Sequence, residues 1–176
     1  DLVEKIKNKM LEAEKEKILM NFNTYLYYRG MYSYIGVGNF KKALEFSTKL
    51  NARGDRNLPE GLASVIKIIN IIIHYELGNH ELLPYVIRST YRYLYKKNVA
   101  NTLELQVLNF IRKKMLTIPP SNKKMLIQAF AQFRAELTKA LKGESEKGAL
   151  EYFDFISWLD SKIQNRPFTE IVREKL

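Results

Sequence analysis

Cysteine is absent from this chain of 176 residues, so disulfides, thiolate metal sites and a cysteine nucleophile are excluded. Histidine is nearly absent too: His74 and His80 are the only two. With just Glu76 and Glu81 near them in sequence, they fall short of the set of ligands a metal needs, and no metal is expected. Long apolar runs are missing as well. The most hydrophobic stretch, around Ile71, Ile72 and Ile73, is interrupted by Lys67, Asn70 and His74. It is too short and too polar to cross a bilayer, and no membrane insertion is expected. No secretory leader is visible, so the expected location is cytoplasmic; the chain starts at Asp1 and reads as a piece of a longer protein. No segment has the period-two alternation of a strand.

What the chain does have is basic charge, +10 in total. Residues 1–20 are balanced, 101–142 carry eight bases against two acids, and 143–176 carry five against seven. A field of one sign over the middle of the chain attracts nucleic acid, anionic lipid or an acidic peptide without choosing among them. At this length folding buries roughly two thirds of the surface of the unfolded chain. A single domain, 1–176, with its own core is therefore expected.

The apolar periodicity is helical throughout. It predicts an all-α fold of about eight helices: a leading helix over 1–20, hairpins over 22–53, 57–97 and 101–142, and C-terminal capping helices over 145–176. Gly36 and Gly38 end the first helix of the first hairpin, and a turn through Asn39 opens the next at Phe40. Asn57-Leu58-Pro59-Glu60 has the pattern of a helix start, with a capping side chain, an early proline and a glutamate three residues after the cap. It introduces Leu62 to Asn79, whose nine long or branched aliphatic residues mark a helix buried on nearly all sides. The next helix is expected from His80 or Glu81 to about Lys97. Two more, at 101–116 and 121–142, are separated by Ile118-Pro119-Pro120-Ser121, which must break any helix, and Ser121 or Asn122 is the expected cap. Ala149 to Ile163 and a short helix near Thr169 complete the set, with Glu151, Asp154 and Asp160 read as a solvated acidic face.

Gly-Asn recurs at positions 38 and 78, an offset of 40 residues, each time between a hydrophobic and a more amphipathic helix. A fixed period of this length built from helix, tight turn and helix is the pattern of stacked hairpins, an α-solenoid. Gly38-Asn39-Phe40-Lys41-Lys42-Ala43-Leu44-Glu45-Phe46 resembles the turn and second helix of a tetratricopeptide repeat, with Tyr27 and Tyr34 where that family has aromatics in its first helix. The departures are Gly30, one position early for the family's small residue, the missing proline near Asp55, and Leu83 in place of alanine in the second unit. Ala52 to Tyr91 also resembles a segment of uncharacterised bacterial helical-repeat proteins. Glycine inside a helix costs about 1 kcal/mol relative to alanine, so Gly30 is expected to admit a close approach by the helix that carries Ala43.

Catalytic patterns fail on inspection. Gly36-Val37-Gly38 begins a dinucleotide fingerprint, but the third glycine would fall on Lys41 and a helix precedes it. Ser64 to Lys67 and Ser121 to Lys124 each match S-x-x-K without the companion motifs of penicillin-recognising enzymes. No enzyme activity, catalytic residue or cofactor is expected.

Two surfaces remain as candidates. Ser64, Lys67, Asn70 and His74 recur at three or four residues and form one polar stripe on the central helix. Thr24, Tyr27, Gly30 and Tyr34 match it at the repeat offset, and Gln106, Asn109 and Lys113 occupy a similar face in the third unit. The resemblance to tetratricopeptide repeats implies that these first helices line a groove for an extended peptide, so that the partner is a protein or peptide and the chain a scaffold module. The competing reading of the stripe is the solvated edge of a buried helix. The second surface is a basic flank of Arg88, Arg92, Lys96 and Lys97 with interleaved tyrosines, joined by Arg112, Lys113, Lys114, Lys123 and Lys124. That mixture suits phosphates and stacked bases and makes a nucleic-acid-binding helical repeat the alternative function.

Overall fold

The computed structural model describes residues 22–52, 58, 60–96, 103–140 and 152–175. These contain no strand. The chain runs through α1 (22–36), α2 (Phe40–Ala52), α3 (Glu60–Glu76), α4 (Leu83–Lys96), α5 (Leu103–Phe110), α6 (Lys123–Ala140), α7 (Phe155–Gln164) and α8 (Phe168–Arg173). The expected leading helix over 1–20, the Asn57 cap and Lys97 lie outside the described residues. Among the described residues no helix is long and apolar enough to cross a membrane.

The two Gly-Asn turns are built alike. Gly38 and Gly78 take φ values of 72° and 70°, a conformation that glycine adopts without steric cost. In the first turn the Gly38 N–H reaches the Ile35 carbonyl at 3.0 Å and the Asn39 N–H reaches the Tyr34 carbonyl at 2.8 Å. In the second, Gly78 bonds Tyr75 at 2.9 Å and Asn79 bonds His74 at 3.0 Å. This is the Schellman pattern, which satisfies carbonyls left over at a helix end. The turns then diverge. Asn39 Oδ1 accepts the Lys42 N–H at 3.1 Å and caps α2, as an N-cap side chain does. Asn79 turns its amide to His74 instead, and α4 begins at Leu83 rather than at His80 or Glu81. Pro84 accounts for the later start, because proline is accommodated in the first turn of a helix and not further in.

α3 is the centre of the packing. Ile68, Ile69, Ile71, Ile72 and Ile73 are wholly buried, and α2, α4 and α5 all pack against it, as a helix apolar on most of its circumference requires. Gly30 lies where expected: a Cβ there would come within 2.6 Å of the Phe46 ring on α2. The helix expected over 101–116 is not uniform, because α5 passes into a π-helical turn, Ile111–Met115, closed by Leu116 N–H to the Ile111 carbonyl at 3.0 Å. Asn122 caps α6, accepting the Met125 N–H at 3.2 Å.

The C-terminal pair folds back over the first hairpin. α7 packs on α6 and α8. Phe153 and Phe168 stack with ring centroids 5.8 Å apart, and both meet Tyr32 of α1 edge-on. Tyr28 of α1 donates to the Tyr152 carbonyl. At the far end of α3, Glu76 accepts the Trp158 indole N–H at 3.0 Å and pairs with Lys162. The acidic residues expected to form a solvated face have other roles. Asp154 caps α7 through the Ser157 N–H at 2.8 Å, and Asp160 is buried, held by Arg134 at 2.7 Å and Lys175 at 3.2 Å. Packing of α6 on α7 sets Asp160 against Arg134, a partner that spacing along one helix does not reveal. Glu151 lies outside the described residues.

Candidate functional site

Lys67, Asn70 and His74 share one edge of α3, spaced by three and four residues and therefore on one face. They form the floor of a cleft of about 620 Å³. Leu44, Thr48 and Asn51 of α2 make one wall, and Tyr85, Val86, Ser89 and Thr90 of α4 make the other. The apolar complement of each helix faces the core, which leaves hydroxyls, amides and one ammonium along the opening.

Hydrogen bonds orient the floor. Ser47, buried on α2, donates to Asn70 Oδ1 at 2.8 Å, and Asn51 Nδ2 donates to the Ser47 carbonyl at 3.0 Å. With its oxygen engaged, Asn70 has its amide N–H groups left to offer. Asn79 Nδ2 lies 3.0 Å from His74 Nδ1. An amide nitrogen can only donate, so Nδ1 is the acceptor and the imidazole proton sits on Nε2. Burial pushes the His74 pKa below its ordinary value of 6.5, which favours the same neutral form. Lys67 Nζ sits 4.4 Å from the centroid of the Tyr93 ring, a cation–π contact. The cleft therefore presents mainly donors: an ammonium, amide groups and an imidazole N–H, beside four hydroxyl-bearing side chains.

The remaining residues of the expected groove lie elsewhere. Ser64 is 1% exposed and Thr24 is 6% exposed, so neither is offered to a partner. Tyr27 and Tyr34 pack on Phe46, with ring centroids 6.0 and 5.5 Å away, in the contact between α1 and α2. Gln106 and Asn109 are half-buried on α5, and Lys113 is exposed in the π-helical turn; none of the three lines the cleft. Its walls come from second helices of the hairpins, α2 and α4, instead of from a row of first helices. Thr48 and Asn51 with Leu44, and Ser89 and Thr90 with Val86, are the participants that sequence reasoning missed. Their helical spacing was visible, but which helices flank α3 was not. In the basic flank, Arg88, Arg92 and Lys96 are exposed on α4, while Lys97 lies outside the described residues.

Among the described residues no group of three or more His, Asp or Glu side chains is placed to hold a metal ion. Comparison with protein-family models, with curated proteins and with solved structures returned no significant match.

Proposed function

We propose that the chain is a non-catalytic binding module of hairpins resembling tetratricopeptide repeats, and that the cleft bounded by α2, α3 and α4 receives a segment of a partner protein. One observation carries this reading: Lys67, Asn70 and His74 are brought together on the floor of a cleft whose volume, about 620 Å³, falls in the range of ligand sites. Donor groups held in register on a rigid helix match carbonyl oxygens of an extended backbone or a carboxylate of the partner. The apolar parts of Leu44, Tyr85 and Val86 supply contact for its side chains.

The test is selection of peptides from a displayed random library on the intact protein, followed by calorimetry. A charge-assisted hydrogen bond contributes about 1.5–3 kcal/mol, so Lys67→Ala is expected to weaken the selected peptides by roughly tenfold or more. His74→Ala weakens them by less, and helical content stays unchanged. Peptides that bind the double variant as well as the parent protein refute the assignment of this cleft.

A further inference from the structure

α4 has a second lined face. Pro84, Ile87, Arg88, Tyr91 and Arg92 lie on the side opposite Tyr85, Val86, Ser89 and Thr90, as positions half a turn apart must. Together with Arg112 and Leu116 of the π-helical turn and its end, they enclose a separate cleft of about 430 Å³. Arg88 and Arg92 are one turn apart on α4, and the Arg112 guanidinium is placed 5.1 Å from the centroid of the Tyr91 ring. Among the described residues the lining contains no carboxylate. Among the described residues none of these three arginines forms an ion pair.

Three guanidiniums that face one cleft without an acid repel one another, and a bound anion removes that repulsion. Guanidinium is permanently charged, weakly hydrated and shaped to hold phosphate oxygens in pairs. A phosphate monoester, with up to two charges and three acceptor oxygens, matches three such groups better than a single carboxylate does. Pro84, Ile87 and Leu116 add an apolar wall that inorganic phosphate leaves unused. Lys96, a turn beyond Arg92, does not line the cleft, so the basic residues converge on a compact site and do not track a strand. We infer that this cleft binds a phosphate monoester carrying a compact apolar or aromatic body. The site lies on the other side of α4 from the peptide cleft and does not depend on that assignment.

Titration of the intact protein with phenyl phosphate, inorganic phosphate and benzoate, followed by calorimetry and by amide shifts of α4, tests the inference. Phenyl phosphate is expected to bind about tenfold tighter than either simpler anion. Arg88→Gln and Arg112→Gln each weaken it by roughly fivefold or more. Arg92→Lys, which keeps the charge and loses the fork, weakens it by a smaller factor. Lys114→Gln, an exposed change in the same π-helical turn, leaves binding unchanged. Equal affinity for phenyl phosphate and inorganic phosphate, or equal weakening by Lys114→Gln, reduces the cleft to diffuse basic surface and overturns the inference. So does a single-stranded oligonucleotide that binds through Arg88 and Arg92 when phenyl phosphate does not. A mononucleotide and a phosphotyrosine peptide run in parallel identify whether a free metabolite or a phosphorylated side chain is the tighter source.

Discussion

Gly30 tests the packing of the first hairpin most directly. It lies inside α1, where alanine would ordinarily stabilise a helix by about 1 kcal/mol. The added methyl, however, would stand 2.6 Å from Cε1 and 2.8 Å from Cδ1 of Phe46, well inside van der Waals contact. The ring has little room to yield, because Tyr27 meets it edge-on and Tyr34 lies against it at 5.5 Å. Overpacking of this kind costs about 1–3 kcal/mol. Against the propensity gain, Gly30→Ala is expected to destabilise by roughly zero to 2 kcal/mol, a fall in melting temperature of up to about 8 °C for a chain of this size. The sign should reverse when the ring is removed: in a Phe46→Ala background the same change stabilises by about 1 kcal/mol. Urea unfolding followed by far-UV circular dichroism measures both legs, and the coupling should be about 1–3 kcal/mol. If Gly30→Ala stabilises the parent protein and its effect adds to that of Phe46→Ala, the helices are not held apart by this contact and the reasoning fails.

Two further perturbations examine the C-terminal closure. Burial opposes ionisation of Asp160, but hydrogen bonds from Arg134 and Lys175 and their charges outweigh it and hold the carboxyl below its ordinary value of 3.8. A carboxylate with a depressed pKa in the fold contributes stability that is present above the unfolded value and is lost as pH falls through the folded one. Asp160→Asn should therefore cost about 1–2 kcal/mol near neutral pH and progressively less in acid. Urea midpoints of the two proteins that stay separated well below the carboxyl range contradict the ion-pair account. Trp158→Phe keeps the aromatic contact with Phe130 but deletes the indole N–H bound to Glu76. A loss of about 1–2 kcal/mol is expected, and an unchanged unfolding midpoint shows that this bond does not tie α7 to α3.

Much of the architecture was legible from local chemistry. The Gly-Asn pairs implied left-handed turns, the double proline implied a break, and Ser121-Asn122 implied a cap at one of two positions, of which the structure uses Asn122; each depends on residues within a few positions of one another. Boundaries shifted where one local signal overrode another, as when Pro84 moved the start of α4 past the expected His80. The π-helical turn at Ile111 had no counterpart in the periodicity, because one widened turn changes the phase of a helix without changing its composition. Gly30 was read correctly because a helical glycine away from any turn has few reasons other than a close neighbour. Asp160 was misread because its partners, Arg134 and Lys175, are remote in sequence, one of them on another helix.

The candidate site divides along the same line. By itself the sequence determined an all-α chain, the burial of α3 and the single face shared by Lys67, Asn70 and His74, since all three follow from the 3.6-residue period and the hydrophobic effect. It did not determine what stands opposite that face. Only tertiary packing decided that Ser64 is covered, that Tyr27 and Tyr34 are spent on Phe46, and that α2 and α4 supply the cleft walls. Only packing brought Arg112 to Arg88 and Arg92. Contacts between helices are set by which apolar faces fit together across long stretches of chain, and spacing within one helix carries no record of that choice.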